Sequence, residues 1–181
     1  MHKSHDNPNT TDKALNAMSS VQDDVRHYLV YWRPKNVETR LARHPLLNYA
    51  GSNQFRHINP DDVLWFVTVR NGKLFLVGRL VVGERTDWGS ALERLGKLTE
   101  KSRFIVIAKP GSEDVMLDMP LEQIAEDIRF DSPSNDRFTL VNGKLNPQQM
   151  QMKRLLTVSS SRLINAQWES SRSRSTNQQD T

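Results

Sequence analysis

The sequence predicts an α+β fold in which a small, curled and mostly antiparallel β-barrel carries peripheral helices. Apolar runs typical of strands occupy the centre of the 181-residue chain, and short helical patterns separate them. The two strongest strand patterns flank Asn71-Gly72. Asn-Gly is the most favourable two-residue hairpin turn, so these strands run antiparallel. A small sheet of such strands protects its edges by curling.

Four elements make up the first half of the domain. The run HYLVYW predicts a strand that Arg33-Pro34 ends, because proline cannot donate to a sheet. Pro45 likewise ends the short helix that follows. Gly78 predicts a bulge or a close approach of another part of the chain. The elements are a strand at 27–32, a helix at 36–47, and hairpin strands at 62–69 and 73–84.

Helical patterns dominate the second half. Asp87 or Ser90 caps the first helix, Pro120 stands at the first turn of the second, and Asn146 caps the third with Pro147 behind it. The predicted elements are a helix at 87–98, a strand at 103–110, a helix at 120–130, a short strand within 136–145, a helix at 146–157 and a last helix at 159–169.

Composition divides the chain into one domain and two tails. Residues 1–24 are polar without a sustained period and predict a disordered N-terminal lead. Residues 169–181, ESSRSRSTNQQDT, predict a disordered tail. Residues 25–168 form a single domain with a helical C-terminal part. A domain of this length can bury a core without disulfides or metal ions to stabilise it.

The chain contains no cysteine, which excludes disulfides, thiolate zinc sites and cysteine catalysis and fits a reducing compartment. No apolar run approaches the roughly 20 residues that span a bilayer. The N-terminal segment also lacks the apolar region of a signal peptide. We therefore expect a soluble, cytoplasmic protein without a membrane partner.

Basic residues concentrate near the start of the domain. The net charge of the chain is +4, but residues 26–57 hold six arginines and lysines against one acid, Glu38. A locally basic face favours an anionic partner, with nucleic acid first. An ordinary solvated surface explains the same charge equally well.

The common catalytic and cofactor signatures are missing. The sequence contains no Gly-rich phosphate loop, no G-x-S-x-G elbow and no H-E-x-x-H motif. The adjacent carboxylates of Asp61 and Asp62 follow Asn59-Pro60, so a turn explains them better than acid/base or magnesium chemistry. We expect no enzyme activity, no cofactor and no metal.

Aromatic and amide side chains suggest base binding. Trp32 ends the first strand among basic residues, and Trp88 opens a helix, whereas Trp65 in a strand predicts core. Aromatic faces stack on single-stranded or flipped bases, and core packing is the alternative. In the segment SNQFRH, Asn53 offers an amide that can read a base edge and Arg56 a phosphate contact. The alternative there is that Ser52 or Asn53 caps a short turn and Phe55 is core.

Two stretches resemble the EVE-type branch of the PUA-like superfamily, whose kin include the YTH and ASCH domains. They are HYLVYWRP and GSNQFRHINPDDVLWFVTVRNGKLFLVGRLVV, and the resemblance covers residues 27–110. The matching positions are Tyr28 to Pro34 for the first strand, Asn53, Phe55 and Arg56 for the next segment, Pro60 to Asp62 for the turn, and Leu76 to Val82 for the return strand. The family's lysine after the first strand is Trp32 or Arg33 here, and its turn glycine is Asp61.

The resemblance implies a PUA-like barrel with a pocket between the end of the first strand and the Asn-containing turn. Relatives hold a modified base extruded from DNA or RNA in such a pocket, often within an aromatic cage. Carried over by position, Trp32 and Arg33 line the wall of the pocket, and Ser52 and Asn53 present polar groups.

The leading hypothesis is a non-catalytic nucleic-acid-binding module that holds a base, modified or unmodified, in this pocket. The predicted base-binding residues are Trp32, Arg33, Ser52, Asn53, Arg56 and Trp88, and the predicted phosphate contacts are Arg40 and Arg43. The choice between DNA and RNA, the identity of the base and the oligomeric state stay open.

Two alternatives belong to other functional classes. One is a nucleic-acid-processing enzyme, or the specificity subunit of one, that uses the carboxylates of Asp61, Asp62 and Glu84. The other is a protein-interaction module that uses an apolar face of the C-terminal helices, formed by Met150, Met152, Leu155 and Leu156.

Overall fold

Strands form the centre of the molecule and helices flank them. The computed structural model describes residues 25–99 and 101–176. The strands are β1 (His27–Tyr31), β2 (Leu46–Leu47), β3 (Tyr49–Gly51), β4 (Val63–Arg70), β5 (Lys73–Thr86), β6 (Ile105–Ala108), β7 (Asp114–Val115), β8 (Met119–Pro120), β9 (Leu140–Val141), β10 (Lys144–Leu145) and β11 (Arg154–Leu155). The α-helices are α1 (Pro34–Arg43), α2 (Trp88–Leu95) and α3 (Val158–Thr176). Short 3₁₀ turns span Asn53–His57, Ala125–Asp127 and Pro147–Met150.

The main sheet is mixed and open. Its strands follow the order β11-β1-β4-β5-β6-β3, and β8 pairs with β5 outside this path. β1 and β4 run parallel, with His27 opposite Val63 and Tyr31 opposite Val67. The remaining pairings of this sheet are antiparallel. Within the described ranges, the end strands β11 and β3 do not pair with each other.

The predicted barrel is therefore wrong. Asn71-Gly72 sets the pairing of β4 with β5 but carries no information about β1. The chain passes through α1 between β1 and β4, and a crossover of this kind lets two neighbouring strands run parallel. Closure also needs end strands that can pair over several residues, but β11 has 2 residues and β3 has 3.

Apolar side chains pack on both faces of the sheet. Neighbouring residues of a strand point to opposite faces, so Leu29 joins one buried cluster and Val30 another. The first cluster contains Trp168 of α3, so α3 covers that face. The second contains Val37 of α1 and Phe55 of the first 3₁₀ turn, which cover the opposite face.

The predicted hairpin is confirmed. β4 and β5 pair from Arg70–Lys73 to Val63–Val81, and the turn residues Asn71 and Gly72 have φ angles of 52° and 78°. A two-residue turn with two positive φ angles matches the right-handed twist of its strands. A second turn of this kind, at Asn142-Gly143, joins β9 to β10 within the segment predicted to hold one short strand.

Two predicted helices are wrong. In the segment 120–130, Pro120 lies in β8 opposite Phe75, and only Ala125–Asp127 form a short 3₁₀ turn. The apolar residues that suggested a helical face are buried in an irregular path instead. In the segment 146–157, a 3₁₀ turn capped by Asn146 gives way to β11, which pairs with β1.

The last helix continues past the predicted boundary at 169 and reaches Thr176. The predicted N-terminal lead at 1–24 and the end of the predicted tail, 177–181, lie outside the described residues. Among the helices that the structure describes, none combines the length and apolar character needed to cross a membrane.

Candidate functional site

An open groove lies where β1 ends and α1 begins. It has a volume of about 560 Å³ and faces the 3₁₀ turn Pro147–Met150 across the surface. We call it the α1 groove. Its lining holds two cations, three amides and a phenol, without a carboxylate: Tyr31, Arg33, Pro34, Lys35, Asn36, Pro147, Gln148 and Gln151.

The strand geometry of β1 decides which aromatic residue reaches this groove. Tyr31 and Trp32 are neighbours and point to opposite faces. Tyr31 lines the α1 groove and packs against the cluster beneath α3. Trp32 packs on the other face, where its ring centroid lies 4.5 Å from that of Phe66. Trp32 is therefore half-buried against the core and not part of the groove lining.

The start of α1 concentrates positive charge in the groove. Arg33 occupies the N-cap position without a side-chain cap, Pro34 follows at the first turn, and this turn contains no acidic residue. The amide end of a helix is already positive, so Arg33 and Lys35 add like charge to it. Within the described residues, neither side chain makes an ion pair or a hydrogen bond, and both are exposed. An anion in the groove would relieve this repulsion.

Tyr31 stays a neutral phenol at physiological pH. Burial raises the pKa of its hydroxyl, and the guanidinium of Arg33 offsets part of that effect. A neutral phenol can donate a hydrogen bond, and its ring can stack on a flat ligand.

Ser52 and Asn53 make hydrogen bonds that shape the first 3₁₀ turn. The Ser52 hydroxyl accepts from the backbone N–H of Gln54 at 3.1 Å, and the Asn53 side-chain carbonyl accepts from the N–H of Arg103 at 3.0 Å. Phe55 is fully buried. In SNQFRH, therefore, Ser52 caps a short turn and Phe55 belongs to the core, as the alternative to base binding predicted. Neither Ser52 nor Asn53 lines the α1 groove.

Gln54 connects this turn to the far side of the groove. Its amide nitrogen donates to the backbone carbonyl of Gln151 at 2.6 Å, and its amide oxygen accepts from the N–H of Lys153 at 2.7 Å. The side chain therefore holds the segment 151–153 in place beside the groove.

The predicted phosphate-binding arginines differ in their burial and in their contacts. Arg40 is buried, donates to the carbonyl of Tyr49 and the hydroxyl of Thr99 at 3.0 Å each, and stacks on the Tyr49 ring. These contacts direct its guanidinium into the protein and fasten α1 to β3. Arg43, in the last turn of α1, and Arg56 are exposed but lie outside the groove lining.

Trp88 opens α2 and is partly buried against the cluster that joins α2 to β3 and β6. The ammonium group of Lys101 lies 5.5 Å from the centre of its ring. Among the predicted site residues, only Arg33 lines the α1 groove.

The carboxylates of the enzyme alternative lie in separate ion pairs. Asp62 is buried and accepts from Arg26 at 3.0 Å, and Asp61 pairs with Lys109 at 2.5 Å. Glu84 pairs with Arg94. In the part of the chain that the structure describes, no group of three or more acidic or histidine side chains is placed to hold a metal ion.

Some groove residues that sequence reasoning missed are neighbours of Arg33, and others come from a distant part of the chain. Lys35 belonged to the basic run, but no local pattern distinguished it from Arg40 or Arg43. Gln148 and Gln151 reach the groove only because the 146–157 segment turns and pairs with β1, and a pattern in one segment carries no signal for that contact.

No protein-family model matches the chain, and no curated protein matches it. A solved structure described as "Structure of Hypothetical protein from Leishmania major" is similar to this chain, with a TM-score of 0.44 and 13% sequence identity. The similarity covers 83% of this chain and 98% of the other. A likeness at this level says nothing about what either chain binds.

Proposed function

We propose that this chain is a non-catalytic nucleic-acid-binding module and that the α1 groove holds a nucleotide of a single strand. One observation carries the proposal: the groove lining combines two cations that have no anionic partner in the described residues with three amides and a tyrosine, and contains no carboxylate. A nucleotide presents a negative phosphate, a base edge and a flat ring, which match these three kinds of side chain.

The charge of the groove favours phosphate. Arg33 and Lys35 flank the positive end of α1 and lack internal partners among the described residues. Arg and Lys that neutralise phosphates release counterions, so binding weakens as salt rises. The backbone N–H groups at a helix start supply further donors for the same anion.

The remaining lining suits a base. The Tyr31 ring supplies a stacking surface, which is worth about 1–3 kcal/mol per base. The side chains of Asn36, Gln148 and Gln151 supply donors and acceptors for a base edge. The proposal also agrees with the resemblance to EVE-type domains, in which a base occupies a pocket at the end of the first strand. It moves the stacking role from Trp32 to Tyr31.

The test is a titration of a fluorescent six-nucleotide oligothymidylate or oligouridylate against wild type and two variants. Arg33→Gln with Lys35→Gln should weaken binding at least 10-fold, because it removes two phosphate contacts. Tyr31→Leu should weaken binding roughly 5- to 100-fold, as expected for loss of about 1–3 kcal/mol of stacking. Circular dichroism confirms that each variant is folded.

Lys97→Gln with Lys144→Gln is the matched control. Both lysines are exposed and lie outside the groove, and the double substitution changes the net charge by the same amount. It should leave the affinity within about twofold. Equal loss of affinity in the control and groove variants would show that binding depends on net charge and not on the groove.

A further inference from the structure

A second, smaller pocket lies beside β11. It has a volume of about 200 Å³ and is lined by Phe130, Asp131, Ser132, Asn135, Lys153, Arg154 and Leu155. We call it the β11 pocket. Two adjacent cations face one carboxylate there, that of Asp131, so the charge balance of the lining is positive.

Arg154 is held in one orientation by an aromatic ring. Its guanidinium carbon lies 3.4 Å from the centre of the Phe130 ring, and its Nη2 donates to the backbone carbonyl of Asn135. Its Nη1 has no hydrogen-bond partner in the described residues although that atom is buried. A guanidinium fixed in this way loses little further entropy when it binds an anion, which favours planar recognition of phosphate.

Lys153 is the second cation of the pocket. Its ammonium group lies 4.6 Å from the centre of the Tyr28 ring, so its charge lies against an aromatic face at the edge of the pocket lining. Burial, followed by the nearby charge of Arg26, lowers the pKa of Lys153, and Asp62 opposes this effect. An anion beside Lys153 would favour its charged form.

The β11 pocket and the α1 groove share one stretch of chain. Gln151 lines the groove, Lys153 lines the pocket, and Gln54 holds both through their backbone groups. Two residue steps of chain span at most about 7 Å, so one short strand can reach both sites.

We infer that the β11 pocket is a phosphate subsite on the path of the strand that occupies the α1 groove. The strand crosses residues 151–153 and places a backbone phosphate against Lys153 and Arg154. This inference rests on the proposed function and adds a path for the strand, with full affinity only for strands long enough to reach both sites.

The first experiment uses inorganic phosphate and does not depend on nucleic acid. Amide chemical shifts of wild type, Lys153→Gln and the control Lys97→Gln are followed during the titration. Gln removes the charge of Lys153 and keeps a polar side chain at this position. Wild type and Lys97→Gln should show saturable shifts at 131–135 and 153–155, and Lys153→Gln should need at least 5-fold more phosphate. Absent shifts, or equal shifts in Lys153→Gln, would overturn the subsite.

The second experiment compares a dinucleotide with the six-nucleotide oligomer. Lys153→Gln should weaken the oligomer about 5-fold and leave the dinucleotide unchanged, whereas Arg33→Gln should weaken both. If Arg33→Gln weakens both ligands and Lys153→Gln weakens neither, the subsite is wrong and the proposed function stands. If wild type binds neither ligand, the proposed function is wrong. The inference that a strand runs from the α1 groove to the β11 pocket is then wrong too, whatever the phosphate titration shows.

Discussion

The protonation state of His27 affects the core, because a hydrogen bond joins His27 to the buried Trp65. The indole nitrogen of Trp65 donates to Nδ1 of His27 at 3.1 Å, and the two rings stack 6.2 Å apart. Only a neutral imidazole with an unprotonated Nδ1 can accept this bond. Burial lowers the pKa of His27, the Asp62 carboxylate raises it, and the Arg79 guanidinium lowers it further.

The lowered pKa makes stability depend on pH in the acid range. The unfolded chain takes up a proton on His27 near its usual pKa of about 6.5, before the folded chain does. The contribution of the group is therefore complete above about pH 6.5 and is lost as the pH falls from there towards the lower folded pKa. Urea unfolding at pH 8.0 and 5.5 should show a larger drop for wild type than for His27→Asn, whose amide oxygen replaces Nδ1 without titrating. An equal drop in both proteins would exclude His27 as the cause.

Position 78 requires glycine because the side chain of Leu47 approaches the backbone closely there. The sequence predicted a bulge or a close approach at Gly78. A Cβ atom at this position would lie 2.8 Å from Cδ2 of Leu47, which is fully buried. Gly78→Ala should destabilise the fold by about 1–3 kcal/mol, the usual cost of overpacking a core. In a Leu47→Ala background the same substitution should cost much less, because the clashing methyl group is gone. Additive losses in chemical denaturation would contradict this explanation.

The roles of individual residues were the hardest to predict from the sequence. Arg40 and Arg33 lie in the same basic run, yet Arg40 is buried against Tyr49 whereas Arg33 is exposed in the groove. Seven residues are nearly two full helical turns, so the helical period does not separate the two arginines, and only tertiary contacts distinguish them. Ser52 and Asn53 supply polar groups that suit either a cap or a ligand, and only the positions of Gln54 and Arg103 show which bonds they make.

At the scale of elements, α3 is fastened to the sheet by one aromatic ring and one ion cluster. Trp168 is 1% exposed and packs edge-on against Trp65. One turn later, Arg172 pairs with the buried carboxylate of Asp114, which also binds Arg79. The segment predicted as a polar tail thus contributes an anchor.

Trp168→Ala should cost about 3–5 kcal/mol, as for large aromatic truncations in other cores. This loss is comparable to the whole stability of many domains, so the variant should unfold at a much lower denaturant concentration. Met152→Ala is the control, because Met152 is 65% exposed and its truncation should change the midpoint little. Similar midpoints for Trp168→Ala and wild type would show that α3 does not stabilise the sheet.

Strong local patterns predicted elements well, and ambiguous ones did not. The β4–β5 hairpin and α2 with its Asp87 cap follow from turn and cap residues that act within a few positions. The segment 120–130 offered helical spacing, the segment 146–157 offered an Asn cap, and both have a proline near the start, but both pair with strands of the sheet. Pairing with a distant strand outweighs local propensity, and the sequence of one segment cannot reveal it.

At the scale of the whole molecule, the α1 groove arises from the sheet topology. β11 pairs with β1 on one side and β4 pairs with it on the other, so the end of β1 meets both the start of α1 and the segment 147–151. A curled, mostly antiparallel barrel was the wrong expectation because the hairpin signal was extended to strands that it does not describe. The open, mixed sheet brings the distant amides to the basic start of α1.

The central claim is that the α1 groove binds the phosphates of a nucleic acid strand through Arg33 and Lys35. The most direct test is the salt dependence of oligonucleotide affinity in wild type and in Arg33→Gln with Lys35→Gln. Each phosphate contact to a single strand contributes about 0.7 to the slope of log affinity against log salt. We predict that the double variant lowers the magnitude of the slope by about 1.4 for two lost contacts, and that Lys97→Gln with Lys144→Gln leaves it unchanged. An unchanged slope in the groove variant would contradict the claim.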